Sequence, residues 1–232
     1  MRIAVVADHG LIAEAVRAAL VGRGYDVVVG RWPRPDDEPI ATTQPRRRRR
    51  RSLGPPPDVA LLLSDLDRIE LVRAAQSLVE GLNVPWLVLT GAPRGPAWGA
   101  LYERGANLVE SSHVRLEGTC DLLEDLAQGR LGQSGGRRRR DLIQQWHRFA
   151  RQRGELTARL ETLTEREEEV LRQLHAGMTV RAIAQTDEVT QSTVRSQVKA
   201  ILRKLDLSSQ IAAVAAYEAI HTDSTEPHSI SS

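Results

Sequence analysis

The stretch from Thr190 to Leu205 carries the most specific chemistry in this chain of 232 residues. It holds four cations (Arg195, Lys199, Arg203 and Lys204) and no acid, and the chain's two lysines both fall in it. Val194, Val198, Ile201 and Leu205 recur at spacings of 4, 3 and 4, the period of a helix that buries one stripe. Ser192, Ser196, Lys199 and Arg203 recur at the same spacings roughly opposite, with Arg195 on the flank. Arginine and lysine reach phosphate oxygens and base edges in a major groove, and the small residues Ser192, Thr193 and Ser196 allow close approach to phosphates. Residues 161–220 as a whole hold seven basic and nine acidic residues. An acidic domain with one purely basic helix is polarised: a duplex phosphate backbone would attract that helix and repel the rest.

The elements that must position this helix are legible just upstream. Thr164 with Glu167 forms a capping box for a helix with Val170, Leu171 and Leu174 inward, stopped by Gly177. Thr179 caps a second, short helix with Val180, Ile183 and Ala184 inward. A turn through Asp187 and Glu188 follows, and Thr190 caps the third helix, Gln191–Leu205. A short helix, a tight turn and a longer basic helix in this order have helix-turn-helix geometry.

The run LTEREEEVLRQLHAGMTVRAIAQTDEVTQSTVRSQVKAILRKLDL resembles the LuxR/NarL/FixJ-type helix-turn-helix family over about 60 residues. The matching elements are Leu163-Thr164, Arg166-Glu167, Val170-Leu171, Gly177, Ile183-Ala184, Thr193-Val194, Val198, Ile201-Leu202 and Lys204-Leu205. The resemblance implies that Arg195, Ser196 and Lys199 face the bases, with neighbouring hydroxyls on phosphates. The DNA-binding set is then Thr190, Ser192, Thr193, Arg195, Ser196, Lys199 and Arg203. It also implies a fourth helix, Ser209–Ile220, that mediates dimerisation, with Ile211, Val214 and Ala215 as apolar candidates. Two positions depart from the family. Asp187 stands where an apolar residue is usual, so a wetter or rearranged turn is expected, because a buried carboxylate is costly. Gln197 replaces a common histidine, which changes a backbone contact and not the fold.

Upstream of residue 130, short β-branched or apolar runs alternate with helical stretches. The strands are Ile3–Ala7, Asp26–Gly30, Val59–Leu63 and Val84–Thr90, followed by a short run at NLVES. The helices are Leu11–Gly24, a stretch ending at Glu80, Ala97–Arg104 and one from about Leu116 to Gln128. This alternation predicts a parallel sheet covered by helices on both faces. Residues 31–57 hold seven of the eleven prolines and eight arginines, and are expected to be a disordered basic loop in place of a helix. Residues 130–160 read as a basic, partly helical linker. Within it Leu142, Trp146, Phe149, Leu156 and Leu160, continued by Leu163, form a heptad-like stripe, interrupted at Arg153-Gly154, that packs on a neighbouring domain or dimerises. Residues 221–232 read as a disordered tail.

GYDVVVG, PPDVALLL, VPWLVLT and ERGAN make residues 1–129 similar to a response-regulator receiver domain, the CheY-like doubly wound fold. The receiver's phosphorylation chemistry implies an acid pair that binds Mg²⁺, an acceptor Asp after the third strand, a Thr or Ser, and a Lys. Transferred here, the acid pair becomes Ala7-Asp8 and the acceptor position falls on Leu63 or Ser64, with Asp65 one or two residues late. Thr90 matches, and the lysine position falls in Glu110–Ser112, in a half without lysine. One acid alone binds a hard dication weakly. Asp8, Ser64, Asp65 and Thr90 are therefore expected to be a vestigial site, not switched by aspartyl phosphorylation.

Composition narrows the classes. Of 32 basic residues, ten lie in Arg46–Arg51 and Arg137–Arg140; without them acids would outnumber bases. The second run is expected to add electrostatic attraction to DNA. No apolar run reaches membrane length, the first residues read as a strand and not a signal peptide, and one cysteine, Cys120, excludes a disulfide framework and a thiolate zinc site. A cytoplasmic protein is expected, without membrane partner, metal or other cofactor. No G-x-G-x-x-G follows the first strand, His9, His113, His147 and His175 lack ligand spacing, and no nucleophile, base and orienter assemble, so no enzyme is expected.

The expectation is an α/β receiver-like domain followed by an all-α four-helix DNA-binding domain. The partners are double-stranded DNA, a second copy of the chain, and a protein or small-molecule effector at the receiver-like domain. The alternatives are a sigma-factor-like promoter reader and a signalling adaptor.

Overall fold

The computed structural model describes residues 1–33, 55–131 and 136–221. The chain forms two compact units, Met1–His147 and Arg148–Ser232.

In the first unit five short runs rich in valine and leucine pair as one parallel sheet: β1 (Arg2–Ala7), β2 (Asp26–Val29), β3 (Val59–Leu63), β4 (Trp86–Thr90) and β5 (Leu108–Ser111). The spatial order is β2-β1-β3-β4-β5: the sheet is parallel, as the alternation predicts, and doubly wound, as the resemblance to a receiver domain implies. Side chains alternate across the sheet. Ile3, Val5, Val59, Leu61, Leu87 and Leu89 meet Leu20 of α1 (Gly10–Val21) and Cys120, Leu123 and Leu126 of α4 (Leu116–Ala127). Cys120 is thus a small core residue, as expected. The other parity, Ala4, Val6, Ala60, Leu62, Trp86 and Val88, is also buried. α2 (Ile69–Gly81) and α3 (Pro96–Glu103) pack on one another and are joined by Gln76, whose Nε2 donates to the Ala100 carbonyl at 3.1 Å. A sheet buried on both faces explains why its central strands read as continuous apolar runs. The expected loop at 31–57 and the run Arg46–Arg51 lie, apart from the loop's ends, outside the described residues, as does the tail after His221.

Residues 136–160 form one helix, α5 (Gly136–Leu160), continuous through Gly154. Its first half belongs to the first unit. Leu142 and Trp146 are buried, and the Leu142 carbonyl lies so close to Gly99 of α3 that a Cβ there would stand 2.1 Å from it. Only glycine permits that approach. Glu103, the last residue of α3, accepts from the Trp146 indole at 3.0 Å and pairs with His147 at 2.5 Å. Arg139 donates to the Tyr102 carbonyl at 2.8 Å and lies 4.9 Å over the Tyr102 ring. A member of the arginine run expected to attract DNA is therefore spent on capping α3.

The second unit contains α6 (Glu165–His175), α7 (Val180–Thr186), α8 (Gln191–Leu205) and α9 (Gln210–His221). Val170, Leu171, Leu174, Ile183, Ala184, Val194, Ile201, Leu205, Ala213 and Tyr217 form its core. Leu160 and Leu163 pack against this core.

Candidate nucleic-acid interface

Local chemistry sets the three helices that carry α8. Thr164 accepts from the Glu167 amide at 3.3 Å, while the Glu167 carboxylate accepts from the Thr164 amide at 2.8 Å, so the expected capping box is complete. Gly177, at φ +83, reverses the chain after α6 and places the Met178 amide on the Gln173 carbonyl at 3.0 Å. Thr179 caps α7 through the Ala182 amide at 3.2 Å. Thr190 caps α8 through the Thr193 amide at 3.1 Å, and its hydroxyl also meets those of Ser192 at 2.8 Å and Thr193 at 2.9 Å. The three-residue connection Asp187–Val189 contains Glu188 at φ +53, a left-handed turn residue without glycine's freedom.

On α8, Val194, Ile201 and Leu205 are buried and Val198 packs beside them. Ser192, Thr193, Arg195, Ser196, Lys199 and Arg203 are all exposed, as is the cap Thr190. Among the described residues neither Lys199 nor Arg203 forms an ion pair, and Arg195 reaches only the Gln191 side chain at 3.4 Å. Lys204 differs from the expectation that grouped it with these cations. Its ammonium lies 2.5 Å from Glu167 and donates to the Thr162 carbonyl at 2.9 Å, so it locks α8 to the capping box of α6. Burial pushes the Glu167 carboxyl up. Lys204, together with the Thr164 amide and hydroxyl, outweighs burial and holds it below the usual carboxylate range. At the far end Asp206 closes α8 at φ +57. Arg159 donates to the Leu205 carbonyl at 3.0 Å and faces Asp206 at 3.4 Å, a cation at a helix C-terminus.

Asp187, for which a wetter or rearranged turn is expected, is buried against side chains of α6. The Asp187 side chain is only 8% exposed, with Arg166 at 2.8 Å and the Gln173 amide donating at 3.1 Å. Gln173 also donates to Glu169 at 2.9 Å, and Arg172 binds Glu169 through two nitrogens. A charge partner and a donor, both from α6, offset the desolvation that made burial look prohibitive. Arg166 and Gln173 are seven residues apart, two turns on one helix face, and that spacing was the available signal. Gln197 is part-buried on α8 and its Oε1 has no hydrogen-bond partner among the described residues.

On α9, Ala213 and Tyr217 face the core and Val214 leans on it, whereas Ile211 is 82% exposed and Ala215 is exposed.

The remaining candidates meet at the carboxyl edge of the sheet in the first unit. Ser64 donates to the Asp8 carboxylate at 2.6 Å and its Oγ lies 3.4 Å from the Leu66 amide. Thr90, buried, donates to the Asp65 carbonyl at 3.0 Å and accepts from the Ala92 amide at 3.1 Å. The topology thus brings Asp8, Ser64, Asp65 and Thr90 to one edge, with Ala7 level with Leu63 in the register. Where the lysine is expected, Ser111 instead hydrogen-bonds His113 at 2.8 Å. The described residues contain no group of three or more His, Cys, Asp or Glu arranged to hold a metal, and no helix long and apolar enough to cross a membrane.

No curated protein matches this sequence. Among solved structures, the response regulator ChrA of a heme-sensing two-component system is 18% identical, over 94% of this chain and 96% of that one, with a TM-score of 0.38. RcsB from Salmonella enterica serovar Typhimurium, bound to promoter P1flhDC, is 18% identical over 95% and 98%, with a TM-score of 0.37. FixJ from B. japonicum is 16% identical over 95% and 97%, with a TM-score of 0.34. Residues 161–216 match the family described as bacterial regulatory proteins, luxR family, and the C-terminal unit of this chain therefore carries a luxR-family helix-turn-helix domain.

Proposed function

We propose that this protein is a sequence-specific, DNA-binding transcriptional regulator of the cytoplasm and not an enzyme. The observation that carries the reading is the division of labour on α8: three cations stand exposed without an acid partner among the described residues, while the opposite stripe is buried and the fourth cation is tied down. Arg195, Ser196 and Lys199 read base edges; Thr190, Ser192, Thr193 and Arg203 lie along the phosphates. The DNA-binding domain spans about residues 161–220.

The protein acts as a homodimer on DNA. Ile211 and Ala215 present a small apolar face on α9, which suits a two-fold contact that sets two copies of α8 in successive major grooves, about 34–36 Å apart. The sheet edge is not switched by aspartyl phosphorylation: Asp8 lacks an acid neighbour at Ala7, and its carboxylate is already hydrogen-bonded by Ser64. A protein or small molecule supplies the signal instead.

Sequencing genomic fragments retained by the purified full-length protein tests this reading. The expected result is an enriched two-fold motif with half-sites about one helical turn apart. Footprinting with no protected site would favour a signalling adaptor.

A further inference from the structure

Arg137, Arg138, Arg139 and Arg140 open α5, and its first turn contains no acid. Cations at a helix N-terminus oppose the macrodipole, so folding alone disfavours them there. The fold uses one: Arg139, half-buried, caps α3 at Tyr102. Its three neighbours are exposed and make no ion pair with any described residue; Arg140 donates only to the Gly136 carbonyl at 3.1 Å. Asp141, also exposed, pairs with none of them. The packing of Leu142 and Trp146 against α3 fixes the rotation of this helix and leaves the three guanidiniums in solvent. They do no work within the unit, yet they sit where they weaken the helix.

We propose that Arg137, Arg138 and Arg140 form a second, sequence-independent contact to the phosphate backbone of duplex DNA, with Arg139 excluded from it. This inference rests on the DNA-binding reading of α8. A duplex carries one charge per about 1.7 Å of its axis, dense enough to face three guanidiniums within about 4.5 Å of helix rise. The chain also presents, in α8, a helix already suited to that same polymer.

The test uses full-length protein, a duplex bearing the motif selected from genomic DNA, and an unrelated duplex, titrated between about 50 and 200 mM salt. The triple variant R137A/R138A/R140A is expected to lower the slope of log affinity against log salt by about 2–3 per protomer on both duplexes. The ratio between the two duplexes should stay unchanged. Arg139→Ala is expected to leave the slope alone while speeding amide exchange over residues 139–147. An unchanged slope in the triple variant overturns the proposal, as does a changed ratio. Equal loss of binding to phosphatidylglycerol vesicles, with duplex binding intact, also overturns it and moves the partner to a lipid surface. Lys199→Ala separates the two claims. If the native protein and this variant both bind the two duplexes equally, the reading of α8 falls, while a lowered slope in the triple variant still shows the arginine contact. Absence of duplex binding at any salt overturns both.

Discussion

The outer face of α8 and the carboxyl edge of the sheet both gather polar side chains, but they treat them in opposite ways. On α8 the capping hydroxyls are satisfied locally, while Arg195, Lys199 and Arg203 are exposed with no acid partner among the described residues. At the sheet edge the Ser64 hydroxyl is engaged by Asp8, and the Thr90 hydroxyl by the Asp65 carbonyl and the Ala92 amide. A face whose cations are unpaired gains by meeting a polyanion, whereas hydroxyls already engaged must give up hydrogen bonds before they bind anything else. The difference teaches where ligand chemistry belongs in this molecule.

The largest effect that could break this contrast is expected on α8. R195A/K199A should lose about 3–5 kcal/mol of specific affinity, a hundredfold or more, and relax base preference, with thermal stability almost unchanged. A titration against selected and unrelated duplexes measures it; unaltered discrimination would place the reading helix elsewhere.

The buried carboxylate under the turn comes next. Asp187→Ala strands Gln173 and half-exposed Arg166, and is expected to cost about 1–3 kcal/mol in urea unfolding. The paired replacement R166M/D187L should recover most of that loss, because apolar packing substitutes for a buried pair at little cost.

Smaller is the contribution of Glu167. Its carboxyl lies below the ordinary range when folded, so the stability it adds is present above the unfolded carboxylate range and is lost as pH falls through the lowered folded value. Melting curves of the second unit should therefore decline with acid in the native protein. Glu167→Gln should be about 1 kcal/mol less stable near neutrality and show a shallower acid decline.

The smallest effects belong to the sheet edge. Ser64→Ala should cost about 1 kcal/mol of stability and leave DNA affinity untouched. Acetyl phosphate with Mg²⁺ should leave no stoichiometric acyl-phosphate in mass spectra of either form. A stable adduct would erase the contrast between the two regions.

Short-range patterns were easy to read in the residues. Strand alternation announced the parallel sheet, because runs such as VALLL and VPWLVLT can only be buried on both faces. Thr164 with Glu167, Gly177 and Thr190 marked helix ends through interactions spanning three or four residues. The misreadings all involved partners distant along the chain. Lys204 counts among the four cations of a purely basic helix until the fold brings Glu167, 37 positions away, against it. Arg139 looked like part of a free run because Tyr102 lies in another helix. Asp187 looked too costly to bury until α6 supplied a cation and an amide.

By itself, then, the order of residues determined which segments are helix or strand, which stripe of each is apolar, and that Gln191–Leu205 carries cations without acids. Those properties arise from backbone sterics, capping and periodicity, all of which act within a few residues. Only tertiary packing decided which charges are neutralised and which remain for a partner. A charge is spent or spared by what stands within about 4 Å of it, and chain folding, not local pattern, sets that distance.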